Sequence, residues 1–251
     1  MAIILLIILS TQNTYAQGEV DSVKLIQLNS YSSFGVSLNS NGLGFDYKFI
    51  KYLDYKFNRP FSVELITIRH PKEEKITNSA YAVSRGYVFG KTNAFLGIRA
   101  GSGIEKRIVE KTDPGSIGIY FSTVGGISLG LLKPIYYQII YPTGPYTFEL
   151  HDELFNPETH TTDNIYSRSS FFTGINQTRL IPGIFAKAGF CFDYGKRSSI
   201  LNRIELGSTV DVFFNKIELM ALSSSSRFFF SLFASYRFGV GKPVKPTVRA
   251  D

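Results

Sequence analysis

Over residues 227–238 the chain changes character at every position. Phe228, Phe230, Leu232, Ala234, Tyr236 and Phe238 share one parity, whereas Arg227, Ser231, Ser235 and Arg237 share the other with Phe229 and Phe233. An extended strand turns successive side chains to opposite faces, so this segment presents one apolar face and one mixed face. Strands of that kind build soluble sandwiches and transmembrane barrels alike. The rest of the chain has to discriminate between them.

The same period recurs. A first strand is expected over residues 35–49, with Leu43, Phe45, Tyr47 and Phe49 opposite Gly42, Gly44, Asp46 and Lys48. Residues 59–70 follow, with Phe61, Val63 and Leu65 against Ser62 and Glu64. This strand should end at Pro71, which removes a ladder donor just before the charged run Lys72, Glu73, Glu74 and Lys75. Residues 81–91, 95–111, 116–132, 182–195 and 203–214 repeat the pattern, which makes eight strands with the closing one. Asp113-Pro114-Gly115 has turn chemistry. Residues 135–141 extend the strand before them or start another, and no periodicity persists over residues 142–181. A stretch that long without a pattern inside a regular domain is a functional or mobile loop.

Hydropathy fits a barrel. Ala2 to Leu9 is almost continuously apolar and Thr14-Tyr15-Ala16 supplies small residues for cleavage, so residues 1–16 are expected to be a signal peptide. That run is shorter than the ~20 apolar residues a spanning helix needs, and no comparable run follows. Aromatic residues nevertheless make up 15% of the chain, all of them Phe and Tyr. Lipid-facing residues that alternate with lumen-facing ones leave no hydropathy peak. The expected fold class is therefore all-β, an antiparallel up-and-down transmembrane barrel of eight strands. The chain divides into a signal peptide (1–16), an N-terminal lead (17–33), the barrel (34–238) with its extracellular loop (142–181), and a disordered tail (239–251). An even strand count returns both ends to the periplasm, with Asp113-Pro114-Gly115 and His70 on that side and the long loop outside.

The net charge of +7 comes from Lys and Arg scattered singly, not from a patch, so no nucleic-acid partner is expected. A lone cysteine, Cys191, excludes an internal disulfide.

Several motifs carry a family resemblance: the leader ending Ala16-Gln17, Asn41-Gly42-Leu43-Gly44, His70-Pro71-Lys72-Glu73, Gly125-Gly126-Ile127-Ser128-Leu129-Gly130 and the aromatic closing strand. Together they resemble a family of outer-membrane β-barrels of the Bacteroidota that has no assigned activity. The resemblance implies outer-membrane lipid and lipopolysaccharide as surroundings, and an assembly machinery that reads the closing aromatic strand. It carries over no cofactor, metal or catalytic residue.

Three groups of side chains remain for function. Asp46, Lys48, Glu64, Arg99, Glu105, Lys187, Asp193, Glu205, Asp211 and Arg237 fall on inward faces. Charges confined there must pair, and an eight-stranded interior is only wide enough for side chains, so a lumen plugged by ion pairs is expected in preference to a conduit. His151, Asp152, Glu153 and His160 in the long loop are competent ligands for a divalent cation, although their spacing matches no defined motif. His70, Lys72, Glu73 and Glu74 suit a periplasmic rim that docks an envelope protein, or a simple strand stop. A Ser–His hydrolase acting on outer-leaflet lipid would need its base beside the nucleophile, and His70 is expected at the wrong end of its strand. The function expected is that of a non-enzymatic structural or binding subunit. A narrow channel, a lipid-modifying hydrolase and a soluble periplasmic β-protein are the alternatives.

Overall fold

The computed structural model describes residues 28–78, 86–112, 115–145, 147–195 and 200–243. The expected signal peptide, residues 17–27 of the lead, residues 81–85 of the 81–91 strand, Asp113-Pro114 and the tail from residue 244 lie outside them.

Thirteen strands run in chain order: β1 Leu28–Asn39, β2 Gly42–Tyr52, β3 Phe57–Ile68, β4 Lys75–Ile76, β5 Tyr87–Val88, β6 Asn93–Val109, β7 Gly118–Pro134, β8 Tyr136–Pro142, β9 Phe148–Leu154, β10 Ile165–Arg168, β11 Arg179–Asp193, β12 Ile200–Ile217 and β13 Ser226–Pro243. Eight of them close a barrel in the order β1-β13-β12-β11-β7-β6-β3-β2. Every pairing is antiparallel, and β13 closes the ring against β1, with Phe34 opposite Phe238. β8, β9 and β10 form a separate three-stranded sheet, and β4 pairs with β5.

The barrel's outer surface is made for hydrocarbon. Phe34, Val36, Phe45, Val63, Ile127, Ile184, Leu206, Phe230, Leu232 and Phe238 are all exposed. Among the described residues, outward-facing charges such as Lys51, Arg59, Lys106 and Lys216 occur only toward strand ends. A continuous apolar belt of this size is unstable in water, and a closed ring leaves no backbone edge to satisfy in lipid. The fold is a transmembrane barrel.

Two strand assignments differ from the expectation, and they cancel in number. Residues 35–49 are not one strand: β1 and β2 meet at a tight turn at residues 40–41, with Asn39 opposite Gly42. The first strand also starts at Leu28, inside the expected lead. Conversely, the described part of the 81–91 segment, residues 86–91, contributes no barrel strand, and β5 there is a two-residue partner of β4. The count of eight survives, but β3 runs in the opposite direction. The connections at residues 69–92, 135–178 and 218–225 and the 40–41 turn therefore share one end of the barrel, and both chain ends share the other with the short connections at 53–56, 110–117 and 194–199. His70 consequently lies at the long-loop end. Backbone bonds confirm the neighbourhood: Arg69 donates to the Asn41 carbonyl at 2.7 Å and Thr92 to that of Leu219 at 3.0 Å.

Two further boundaries move. The barrel resumes at Arg179, so residues 179–181 belong to a strand and not to the long loop. β13 continues past Phe238, with Gly239, Val240 and Gly241 still paired to β1.

Candidate functional site

The inward charges form a network of three ion-paired groups. The Arg99 guanidinium grips Asp211 with two nitrogens, Nε at 2.8 Å from Oδ1 and Nη2 on Oδ2, and reaches Glu64 at 3.2 Å. Glu64 turns its other oxygen to Lys187 at 2.8 Å. Glu205 is shared by Lys48 at 2.9 Å and Arg237 at 3.4 Å, and Arg237 continues to Asp46 at 2.6 Å. Lower in the barrel, Arg203 joins Glu105 at 2.9 Å and Asp193 at 3.1 Å, with Lys111 3.8 Å from Asp193.

All ten inward residues picked from the sequence are thus in the network. Arg203 and Lys111 were missed, although Arg203 shares its strand parity with Glu205 and Asp211 and could have been found by it. With those two added, six cations (Lys48, Arg99, Lys111, Lys187, Arg203, Arg237) face six carboxylates (Asp46, Glu64, Glu105, Asp193, Glu205, Asp211). The plug is electrically balanced. Planar and cationic groups also stack inside: Arg203 lies 4.4 Å from the Tyr120 ring centroid and Lys187 4.2 Å from that of Phe233.

Apolar layers close the lumen above and below this belt. At the long-loop end Ile66, Ile68, Phe95, Leu132, Ile181, Phe213, Ile217, Leu219 and Met220 make one buried cluster. Within it Phe95 and Phe213 meet edge to face at 5.4 Å, and Phe229 packs on Phe213 at 6.0 Å. Tyr31, Ile50 and Leu201 form a smaller cluster at the other end.

The four loop residues considered as a cation site do not converge. β9 puts Glu149, His151 and Glu153 on one face and Asp152 on the other, where Asp152 accepts a hydrogen bond from Ser169 Oγ at 2.7 Å. His160 is buried, and its Nδ1 accepts the Asn156 N–H at 3.0 Å. That bond leaves its proton on Nε2, which donates to Glu153 at 3.3 Å, so neither ring nitrogen has a lone pair free for a metal. Glu153 also accepts from the Tyr141 hydroxyl at 2.8 Å, a bond that raises the Tyr141 pKa. No cluster of metal-ligand side chains occurs among the described residues.

The rim segment is likewise turned inward on itself. Glu73 accepts the His70 backbone N–H at 3.0 Å and pairs with Lys91. His70 lies against Ser223, its Nε2 3.0 Å from Oγ, beside the lipid-facing Phe228 and Phe230. The objection drawn from His70 lying at the end away from the long loop therefore no longer holds. A different one replaces it: Nδ1 accepts the Lys72 N–H at 3.2 Å, so the neutral ring carries its proton on Nε2 and donates to Ser223. A base must accept from its nucleophile. This pair ties the 69–73 turn to the β12–β13 connection instead.

What remains open to the surroundings at the long-loop end is the three-stranded sheet. Ile135, Tyr137, Ile139 and Ile165 bury its inner side against Tyr87, with Phe89 and Phe155 packed around them. The Tyr137 hydroxyl, 2.6 Å from the Val88 carbonyl and 2.7 Å from that of Lys91, anchors the sheet to the β5 segment, and burial raises its pKa. The stretch expected to be a patternless loop is a fixed platform.

No protein-family model matches this chain, and no curated protein matches it in sequence. Among solved structures it is similar to Ail, the attachment invasion locus protein of Yersinia pestis, at 11% identity over 86% of this chain and 97% of that one, with a TM-score of 0.39. It is similar also to Neisserial surface protein A (NspA), at 7% identity over 85% and 96% of the two chains, with a TM-score of 0.40.

The platform carries exposed aromatic and apolar side chains at the long-loop end. Phe171 and Phe172 are exposed by 58% and 73%, and β9 offers Phe148, Leu150 and Leu154 from a sheet edge that pairs only with β8.

Proposed function

We propose that this protein is an integral outer-membrane barrel, exported through a cleaved signal peptide, that acts without catalysis by holding a recognition platform at the cell surface. The observation that carries the reading is the contrast between the two candidate regions. The lumen charges are paired with one another, whereas the β8–β10 sheet is ordered, anchored and rich in exposed aromatic and apolar side chains. Short connections on the side of both chain ends and long ones opposite support a periplasmic position for the ends. The platform then faces outward, and so does His70, which argues against a periplasmic docking rim and for an envelope-protein partner on the outer side. The apolar belt supports contact with outer-membrane lipid, Lys216 at the long-loop end of β12 contact with lipopolysaccharide phosphates, and β13 recognition by the assembly machinery.

Cysteine labelling tests the orientation with little background, because the native Cys191 is buried in the lumen. Glu158→Cys in the loop should react with a membrane-impermeant maleimide on intact cells. Asp54→Cys in the β2–β3 turn should react only after the outer membrane is opened. The reverse pattern, or equal labelling of both, would sink the reading.

A further inference from the structure

A cleft of about 920 Å³ opens beside β10, between it and the β4–β5 pair. Gln138, Tyr166, Ser167, Arg168, Phe171 and Lys75 are among the residues that line it. Three chemical features coincide there. Lys75 and Arg168 are exposed and have no carboxylate partner among the described residues. Behind them Lys133 is buried with only carbonyls to bond, those of Thr173 at 2.9 Å and Pro134 at 3.3 Å, and its ammonium lies 5.2 Å over the Phe171 ring.

Of the acids on adjacent segments, Glu73, Asp152 and Glu153 are engaged by Lys91, by Ser169, and by Tyr141 with His160, and neither Glu74 nor Asp163 lines the cleft. They do not neutralise the cleft. Its polar lining is a row of hydroxyl and amide groups, with Ser167 Oγ 2.6 Å from Gln138 Oε1. Its apolar wall is the exposed ring of Phe171.

We propose that this cleft binds an acidic oligosaccharide. The space far exceeds that of a single phosphate or sulfate and suits a few sugar rings. Lys75 and Arg168 would hold the acid groups, Gln138 and the serines the ring hydroxyls, and Phe171 the C–H face of a sugar. An acidic peptide would use the cations and leave the hydroxyl row and the aromatic wall without a role. The inference rests on the platform being the recognition surface, but binding in micelles does not depend on orientation, so it can fail independently of the labelling result.

The test is calorimetric titration of the full barrel in detergent micelles with dextran sulfate oligomers, alginate oligomers, neutral dextran and polyglutamate of matched length. Saturable binding of at least one of the two acidic saccharides, with none of neutral dextran, is expected. Lys75→Ala with Arg168→Ala should weaken it about tenfold, and Phe171→Ala should weaken it with charge unchanged. Lys51→Ala with Arg59→Ala, at the opposite end, should leave it intact, and all variants should keep the heat-modifiable gel mobility of a folded barrel. A delipidated lipopolysaccharide core oligosaccharide in the same titration distinguishes the membrane's own surface sugars from an external glycan; tighter binding of either class supports the site. Equal affinity for polyglutamate, equal loss in the control pair, or no binding of either acidic saccharide would overturn the proposal.

Discussion

Replacing Arg99 by methionine is expected to destabilise the barrel by about 3–5 kcal/mol, the range for breaking a buried ion pair from one side. Removing Asp211 as well is expected to recover part of that loss. In the single variant Asp211 keeps its place in the lumen but loses its guanidinium partner, and Glu64 keeps only Lys187. The penalty is the desolvation of a carboxylate that nothing compensates. In Arg99→Met/Asp211→Asn the Glu64–Lys187 pair is still whole, and the remaining amide costs only an unmade neutral hydrogen bond, about 1–3 kcal/mol. Urea midpoints of the refolded protein in micelles, followed by gel mobility, measure both. A double variant less stable than Arg99→Met would mean that Arg99 acts by packing on Phe185, 5.6 Å away, and not through charge.

This network was legible before the fold was, because parity alone sorts side chains to one face or the other. Asp46, Glu64, Arg99, Glu205 and Arg237 needed no knowledge of which strands are neighbours. Direction was harder to read, and the reason is local. A tight turn at residues 40–41 reverses the chain while the alternation simply changes parity, from Val36 and Leu38 to Leu43 and Phe45, so residues 35–49 look like one strand. Asn41-Gly42 was the available signal, since Asn-Gly between alternating runs marks a hairpin. Gly42 is required there by close approach: a Cβ on it would lie 1.9 Å from the Thr67 carbonyl oxygen of β3. Once that hairpin is counted, the 81–91 segment is no longer needed in the wall, and His70 changes ends.

The platform was the least legible part. Its strands are short, and β9 is exposed on nearly every residue, so no alternation survives to be read. Its order comes from contacts distant in sequence: Tyr137 on the carbonyls of Val88 and Lys91, and Asn78 Nδ2 on that of Ile165 at 2.9 Å. Pairings of this kind follow from tertiary packing and leave no periodic trace. Three of the four acid and imidazole groups that drew attention as ligands, Asp152, Glu153 and His160, are themselves part of that packing.

Adjacent glycines give the second large effect. Gly126→Ala is expected to cost about 3 kcal/mol, the upper end for overpacking, whereas Gly125→Ala should stay within about 0.5 kcal/mol of the native barrel. The two differ only in the face they occupy. Gly126 points inward and pairs with Gly101 of β6; a Cβ there would lie 2.1 Å from the Ala100 carbonyl oxygen and 2.5 Å from the Gly101 Cα. Those are backbone atoms, so no rotamer change can relieve the clash and the β6–β7 seam has to move. The flat floor left by Gly101 and Gly126 is also where the Phe185 ring lies: a Cβ on Gly101 would meet it at 2.9 Å. Gly125 points outward, and its Cβ would meet nothing nearer than the Phe185 carbonyl at 3.6 Å, an ordinary contact. There alanine replaces a flexible residue in a strand and loses less chain entropy on folding, which offsets any small cost. The fraction of each variant that shows heat-modifiable mobility after refolding across a urea series separates them. Equal midpoints would mean that the β6–β7 pair yields at this seam, and the inward packing that places Phe185 over Arg99 would lose its steric basis.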